Sequence, residues 1–101
     1  MPFRITAALV GLLGVAPAAA APFQDCLPPG EIREVVAARE VVSPSSAVTT
    51  ARRAVPDGDV VRASLCRDAS GLLYVIMALR RDGRFVQVTI DGPSGRVKNV
   101  Q

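Results

Sequence analysis

The second half of the chain consists of short apolar segments separated by turn sequences, and this pattern constrains the fold more than any other feature. Residues 60–67 (VVRASLCR) and 85–90 (FVQVTI) alternate between apolar and polar, as strands with one buried face do. Residues 72–79 (LLYVIMAL) are apolar throughout, which predicts a central strand covered on both faces. Residues 96–100 would be a short last strand. Because the connections are only a few residues long, these segments predict an antiparallel meander of three to four strands.

The alternation also assigns side chains to faces of the sheet. We expect the inner face to carry Val61, Ala63 and Leu65 from the first strand and Val86, Val88 and Ile90 from the third. Cys66 falls on the opposite face of the first strand.

Four residues between the strands are interpreted as structural turn residues. Asp82-Gly83 is a strong hairpin signal. In the next turn we expect Asp91 to cap the loop and Gly95 to adopt a positive φ.

Two helices are expected before the strands. After Pro28-Pro29, apolar residues at 32, 35 and 36 have helical spacing, which predicts a helix over residues 29–39. Ser43-Pro44 is typical of an N-cap and first helical residue, and the apolar stripe of this second helix is Ala47, Val48, Ala51 and Val55. The predicted fold class is therefore α+β, with one or two short helices packed on the antiparallel sheet.

The N-terminus has the features of a cleavable secretory signal peptide. Arg4 is followed by an uncharged apolar stretch over residues 5–15 and then by small residues. A membrane-spanning helix needs about 20 apolar residues, more than this stretch contains. Cleavage between Ala20 and Ala21 fits the small-residue pattern best, because a cut one residue later would leave Pro22 at the scissile bond. We therefore expect a signal peptide at residues 1–20, no stable membrane anchor after cleavage, and a periplasmic or secreted bacterial protein.

Both cysteines remain after that cleavage, and we expect them to form a disulfide between Cys26 and Cys66. An exported chain meets an oxidising compartment, and a domain of about 80 residues often needs a covalent crosslink. The alternatives are a metal site and a reactive thiol. The chain has no histidine to complete a metal site or to activate a nucleophile. The bond would tether an N-terminal segment, residues 21–42, across the sheet or over its edge.

Composition argues against several classes of partner. Removing Arg4 from the 12 basic residues leaves 11 against 9 acidic ones, a net charge of +2. This charge is too small and too evenly spread to indicate nucleic-acid binding, and too few aromatic residues are present for base stacking. No cofactor and no metal are expected.

Residues 43–101 resemble a PepSY domain. The resemblance lies in the Ala47-Val48-Thr49-Thr50-Ala51 stripe, the Pro56-Asp57-Gly58 break, the strand Leu73-Tyr74-Val75-Ile76, the hairpin Asp82-Gly83-Arg84 and the terminal segment 88–97 (VTIDGPSGRV). The last of these, with its I-D-x-x-x-G-x-V pattern, is the most specific. The cysteine pair and the Pro-Pro-Gly-Glu helix are similar to those of a subgroup of small exported bacterial PepSY proteins.

The resemblance implies a helix packed on an antiparallel sheet, an address outside the cytoplasm, and a regulatory role. PepSY modules occur in propeptides of secreted metallopeptidases and in envelope proteins, and are proposed to inhibit or restrain peptidases. The family motif marks no catalytic residues.

The residues themselves also argue against catalysis. Without histidine, a serine triad is excluded. The carboxylate pairs Asp57/Asp59 and Asp82/Asp91 fall in turns, where aspartate is expected for structural reasons. We therefore expect a non-enzymatic protein.

Two functions of different class follow from the sequence. In the first, the domain binds a protein, such as a secreted or envelope peptidase, and the candidate partner-binding residues are Arg80, Arg81, Arg84 and Tyr74. The structural alternatives are ordinary solvation for the hairpin arginines and sheet packing for Tyr74. In the second, the protein is a small-ligand or stress sensor or a structural component of the envelope. An apolar pocket with convergent polar groups would favour the second function, and an uninterrupted core would favour the first. The sequence does not determine the oligomeric state.

Overall fold

Two helices are followed by four strands in the computed structural model of the protein, which describes residues 25–101. The elements are α1 (Pro29–Ala37), α2 (Pro44–Ala54), β1 (Gly58–Asp68), β2 (Gly71–Arg80), β3 (Phe85–Asp91) and β4 (Val97–Val100). The strands form one antiparallel sheet in the order β1-β2-β3-β4. The predicted α+β fold with a meander sheet is therefore confirmed. The expected signal peptide, residues 1–20, lies outside the described residues.

Helix α2 begins at the serine–proline pair. The N–H of Ser46 donates a hydrogen bond to the Ser43 hydroxyl at 3.2 Å, and Pro44 occupies the first turn, where no N–H partner is needed. Ala47 and Ala51 are fully buried against the sheet. Their small side chains let the helix lie close to the strands.

Helix α1 ends two residues earlier than its apolar spacing predicts. Arg39 has a φ of 59°, and it is the one non-glycine residue with positive φ in the described part of the chain. Its N–H donates to the carbonyl of Val36 at 3.0 Å, and the N–H of Glu40 donates to the carbonyl of Val35 at 2.9 Å. This is the hydrogen-bond pattern of a Schellman motif, in which glycine usually occupies the position of Arg39.

The main core lies between the helices and one face of the sheet. Its buried members are Leu27, Val41, Ala47, Ala51, Val55, Leu65, Tyr74, Ile76, Ala78, Val88 and Ile90. Val86 packs against this core from the third strand, so the residues expected on the inner face of β3 do face the helices.

The expected inner face of β1 is wrong at one position. The register with β2 shifts between Val60 and Arg62, so an extra residue is inserted there as a β-bulge. Val60 consequently packs against the core, whereas Val61 is 53% exposed. Simple alternation places Val61 inside because it assumes one residue per pairing step, and the bulge breaks that count.

The segment before α1 extends the sheet along the edge of β1. Cys26 and Cys66 are joined by a disulfide with an S–S distance of 1.98 Å, as predicted. On either side of it, the N–H of Leu27 donates to the carbonyl of Leu65 and the N–H of Arg67 donates to the carbonyl of Asp25, each at 2.8 Å. The N-terminal segment that the disulfide holds therefore lies at the edge of the sheet, beside β1.

The turn between β3 and β4 packs against the loop between the helices. The N–H of Gly92 donates to the carbonyl of Leu72, and the N–H of Val42 donates to the carbonyl of Gly92, both at 2.9 Å. Asp91 accepts a hydrogen bond from the N–H of Ser94 at 3.0 Å, and Gly95 has a φ of 74°. In the preceding hairpin Asp82 accepts from the N–H of Arg84 at 3.0 Å, and Gly83 has a φ of 88°.

Candidate protein-binding face

The face of the sheet that points away from the core is covered by neither helix within residues 25–101. We call it the open face. The strand register assigns to it the side chains of Asp59, Arg62, Ser64, Cys66, Leu73, Val75, Met77, Leu79, Phe85, Gln87, Thr89 and Asp91. The all-apolar strand β2 predicts cover on both sides, but among the described elements only one side has a helical layer.

Burial on the open face falls from one end of the sheet to the other. Near the disulfide, Cys66, Leu73 and Val75 form a small second cluster with exposures of 0%, 1% and 8%. At the opposite end, beside the β2–β3 hairpin, Phe85 is 60% exposed and Val61 53%, and the two side chains line the same depression from either side of β2. Removing an exposed phenylalanine side chain from water lowers the free energy, so this end is the part of the open face best suited to contact another molecule.

Two shallow depressions form a continuous groove across the open face. The first, of about 370 Å³, is lined by Val61, Arg62, Met77 and Phe85. The second, of about 480 Å³, is lined by Cys26, Arg62, Ser64, Cys66, Val75, Met77 and Gln87. They share Arg62 and Met77, so we describe them together as the open-face groove. The first depression is mostly apolar, the second also carries the polar side chains of Ser64 and Gln87, and Arg62 is the cationic side chain that lines both.

The three hairpin arginines are not equivalent. Nε of Arg80 lies 3.3 Å from Oδ2 of Asp57, and a terminal nitrogen of the same guanidinium lies 3.8 Å from Oδ2 of Asp82. Nε of Arg80 is buried and makes no hydrogen bond within residues 25–101, so its contact with Asp57 is an ion pair without good hydrogen-bond geometry. Arg81 and Arg84 are exposed and form no ion pair with any residue of that range. Arg80 is thus tied into the hairpin base, and the other two remain available for a partner.

Tyr74 lies inside the core on the helix side of β2. It is 2% exposed, and its hydroxyl donates a hydrogen bond of 2.6 Å to the carbonyl of Val42. Burial raises the pKa of this phenol above its ordinary value. A partner could not reach the ring without opening the fold, so Tyr74 connects the interhelical loop to the sheet and is not part of the open face.

The far end of the sheet carries a polar cluster of turn residues. The Ser70 hydroxyl donates to Oδ1 of Asp68 at 2.6 Å and receives a hydrogen bond from Nζ of Lys98 at 3.0 Å. Hydrogen bonds from the side chain and backbone of Ser70, with Lys98 nearby, lower the pKa of Asp68. Hydrogen bonds from Ser94 and the charge of Lys98 likewise lower the pKa of Asp91. Both carboxylates accept hydrogen bonds from residues of their own loops, which is the arrangement of turn caps.

The exposed residues of the open-face groove were not among the sequence-based candidates. Phe85 had a usable signal, because it falls outside the inward-facing set of residues 86, 88 and 90. Val61 had none, since its outward placement depends on the bulge, whereas alternation along β1 places Arg62 on the same face as Cys66. Within residues 25–101, no group of three or more metal-ligating side chains comes together.

Comparisons with known proteins add no assignment: no family model, curated protein or solved structure matches this chain. Over the part of the chain that the structure describes, no helix is both long enough and apolar enough to cross a membrane. A disulfide between Cys26 and Cys66 fits a protein that folds outside the cytoplasm.

Proposed function

We propose that the protein is an exported, non-catalytic module that binds another protein through the open face. The observation that carries this proposal is the exposure of Phe85 and Val61 beside Met77 and Arg62 on a sheet face without a helical cover in the described residues. Aromatic residues, methionine and arginine are the types enriched in protein–protein interfaces. Exposed apolar patches on a folded domain commonly mark such surfaces.

Two features support the export of the protein and the absence of catalysis. The disulfide crosslinks the N-terminal segment to β1, which is typical of oxidising compartments. The chain has no histidine, and its carboxylates near the hairpins serve as ion-pair partners or turn caps. The signal peptide at residues 1–20 is part of this proposal.

The partner class to test first is a bacterial peptidase that is secreted or belongs to the cell envelope. This choice rests on the resemblance of residues 43–101 to PepSY domains, together with the helix-on-sheet fold that such a domain would have. The proposed activity is inhibition or restraint of the peptidase.

Photo-crosslinking tests whether the open face binds a protein. A photoreactive phenylalanine analogue is placed at Phe85 or, as a matched control, at Arg52, an exposed residue of α2, and the cells are irradiated. We expect a covalent adduct with one defined protein from position 85 and not from position 52, and competition for that adduct by excess unmodified protein but not by its Phe85→Ser variant. Adducts of equal yield from both positions, or from neither, would contradict the proposal.

A peptidase assay tests the narrower claim. Each secreted peptidase of the source organism is mixed with the oxidised parent protein, with its Phe85→Ser variant, or with neither. Substrate hydrolysis is then compared among the three mixtures. We expect at least one peptidase to be inhibited by the parent protein and less by the variant. If no peptidase in the panel is inhibited and none forms a complex, the peptidase proposal fails while general protein binding remains testable by crosslinking.

A small ligand is the second candidate, and the size of the groove favours it. Its second depression, about 480 Å³, falls within the range of ligand pockets, and Ser64 and Gln87 supply polar groups along it. The groove is nevertheless an open surface and not an enclosed cavity, which suits a chain segment better than a sequestered molecule. Saturable binding of a small metabolite, without any protein adduct at position 85, would favour this second function.

A further inference from the structure

The charges around the open-face groove indicate what kind of segment it takes. Arg62 lines both depressions together with Met77, its partner in the strand register, and Val61 lines the first. It forms no ion pair with another residue of 25–101. An arginine that lines a groove beside apolar side chains and has no anionic partner among the described residues is suited to bind a carboxylate from outside, because the guanidinium can donate two parallel hydrogen bonds to it.

The neighbouring charges point the same way. Arg81 and Arg84 lie in the hairpin next to Phe85 and are exposed, while Asp57 and Asp82 are occupied by Arg80. Asp59, opposite Leu79 in the register, is the remaining acidic residue at this end of β1. Arg84 stands opposite Arg80 in the hairpin, so strand alternation places it on the other face of the sheet from Phe85. At this end of the open face the charged strand residues within 25–101 are therefore Arg62 and Asp59, and of these two it is Arg62 that lines the groove.

We infer that the open-face groove binds an extended partner segment in which an apolar side chain stands within two residues of a carboxylate, and that Arg62 recognises the carboxylate. The apolar side chain packs on Phe85, Met77 and Val61. This inference rests on the proposed function and specifies the chemistry of the partner.

The length of the groove suits an extended chain. It runs from the Cys26–Cys66 disulfide, past Met77 at its middle, to Phe85 beside the β2–β3 hairpin. Along β2, from Leu73 opposite Cys66 to Leu79 opposite Phe85 is six residues, which in a strand is about 20 Å at roughly 3.3 Å per residue. A bound segment of roughly six to seven residues would cover this distance. Because Arg62 is level with Met77 and Phe85 with Leu79, a carboxylate near Arg62 and an apolar side chain near Phe85 would be about two residues apart in that segment.

A peptide-display selection tests the inference with probes of defined length. Random dodecapeptides are selected on the immobilised, oxidised protein, and the enriched peptides are synthesised and titrated by fluorescence anisotropy. We expect an excess of Asp or Glu within two residues of Leu, Phe or Met. We expect the R62Q variant to weaken binding about tenfold and F85S at least as much, with weaker binding at high salt.

The matched control is R67Q. Arg67 is also an exposed arginine of β1, but it pairs with Leu72, whose side chain packs on the helix side, so it faces away from the groove. The control should bind selected peptides as the parent does, and circular dichroism melting verifies that all three variants are folded. Selected peptides without acidic residues, equal losses in R62Q and R67Q, or no selectable binder would each overturn the inference.

Other occupants give different results. Binding of dodecanoate with no peptide binding would identify a small-amphiphile site, and Phe85-dependent self-association in sedimentation experiments would identify a second copy of the chain; either result overturns the inference. Peptides that need Phe85 but not Arg62 would leave the open face as a protein-binding surface and reject only the carboxylate preference. Loss of both the peptides and the crosslink at position 85 would reject the proposed function as well.

Discussion

Replacing Tyr74 by phenylalanine isolates one contact between the interhelical loop and the sheet. The variant keeps the buried ring and removes only the hydroxyl, which donates a 2.6 Å hydrogen bond to the carbonyl of Val42. A hydrogen bond contributes about 0.5–1.5 kcal/mol net, and a buried carbonyl left without a donor costs roughly 1–3 kcal/mol. Since Val42 is half-buried and water can partly replace the donor, we expect a loss of about 1–2 kcal/mol in the free energy of unfolding.

The assay is urea unfolding followed by circular dichroism at 222 nm, supported by thermal melting. For a domain of this size, a loss of about 1 kcal/mol lowers Tm by roughly 4–8 °C. Thr49→Val is the matched control, because its hydroxyl also donates to a backbone carbonyl, that of Ser45 at 2.9 Å, but on the exposed side of α2. We expect the control to change stability by less than about 0.5 kcal/mol. Equal losses in the two variants, or no loss in Tyr74→Phe, would refute the assignment of Tyr74 to a loop-anchoring role.

The remaining predictions concern pH, backbone conformation and the crosslink. Because burial raises the pKa of Tyr74 in the folded state, stability should fall as pH rises above about 10, the unfolded value, and Tyr74→Phe should flatten that fall in alkaline urea titrations. Arg39→Gly should raise the free energy of unfolding by about 0.5–1 kcal/mol, since glycine adopts the positive φ without strain; a destabilised variant would contradict the Schellman assignment. Gly92→Ala should lower the melting temperature by an amount equivalent to about 1–3 kcal/mol, because its Cβ would lie 2.7 Å from the carbonyl oxygen of Leu72, whereas Gly30→Ala, with open space around its Cβ in α1, should be neutral or stabilising. Replacing both cysteines by serine should lower the free energy of unfolding by roughly 4 kcal/mol for a separation of 40 residues, measured in urea against the oxidised parent; an unchanged midpoint would show that the disulfide adds no stability.

Most of the secondary structure could be predicted from the sequence because its causes are local. The two-residue period of β1 and β3 follows from backbone geometry, and the Ser43-Pro44 cap follows from hydrogen-bonding needs at a helix start. The end of α1 was less predictable. Its early stop requires Arg39 to adopt a left-handed conformation, which local preference would assign to glycine.

The candidate site was much less predictable. The sequence-based candidates were charged or aromatic residues near a hairpin, and the structure separates them: Arg80 is engaged in ion pairs, Tyr74 is buried, and Arg81 and Arg84 are exposed. The apolar part of the site, Phe85 with Val61, was not anticipated. Whether an apolar side chain on a strand is buried depends on what lies over that face, and no local pattern contains this information.

By itself, then, the sequence determined the order of helices and strands, the turns between them and the pairing of its two cysteines. Tertiary structure alone decided which face of β2 received the helices, where the bulge turned Val61 outward, and how Arg62 came to line a groove with Met77 and Phe85. The physical reason is the distance along the chain over which each interaction acts. Backbone conformation and turn chemistry act over a few residues, whereas burial and the pairing of charges depend on segments that are distant in the chain and meet only after folding.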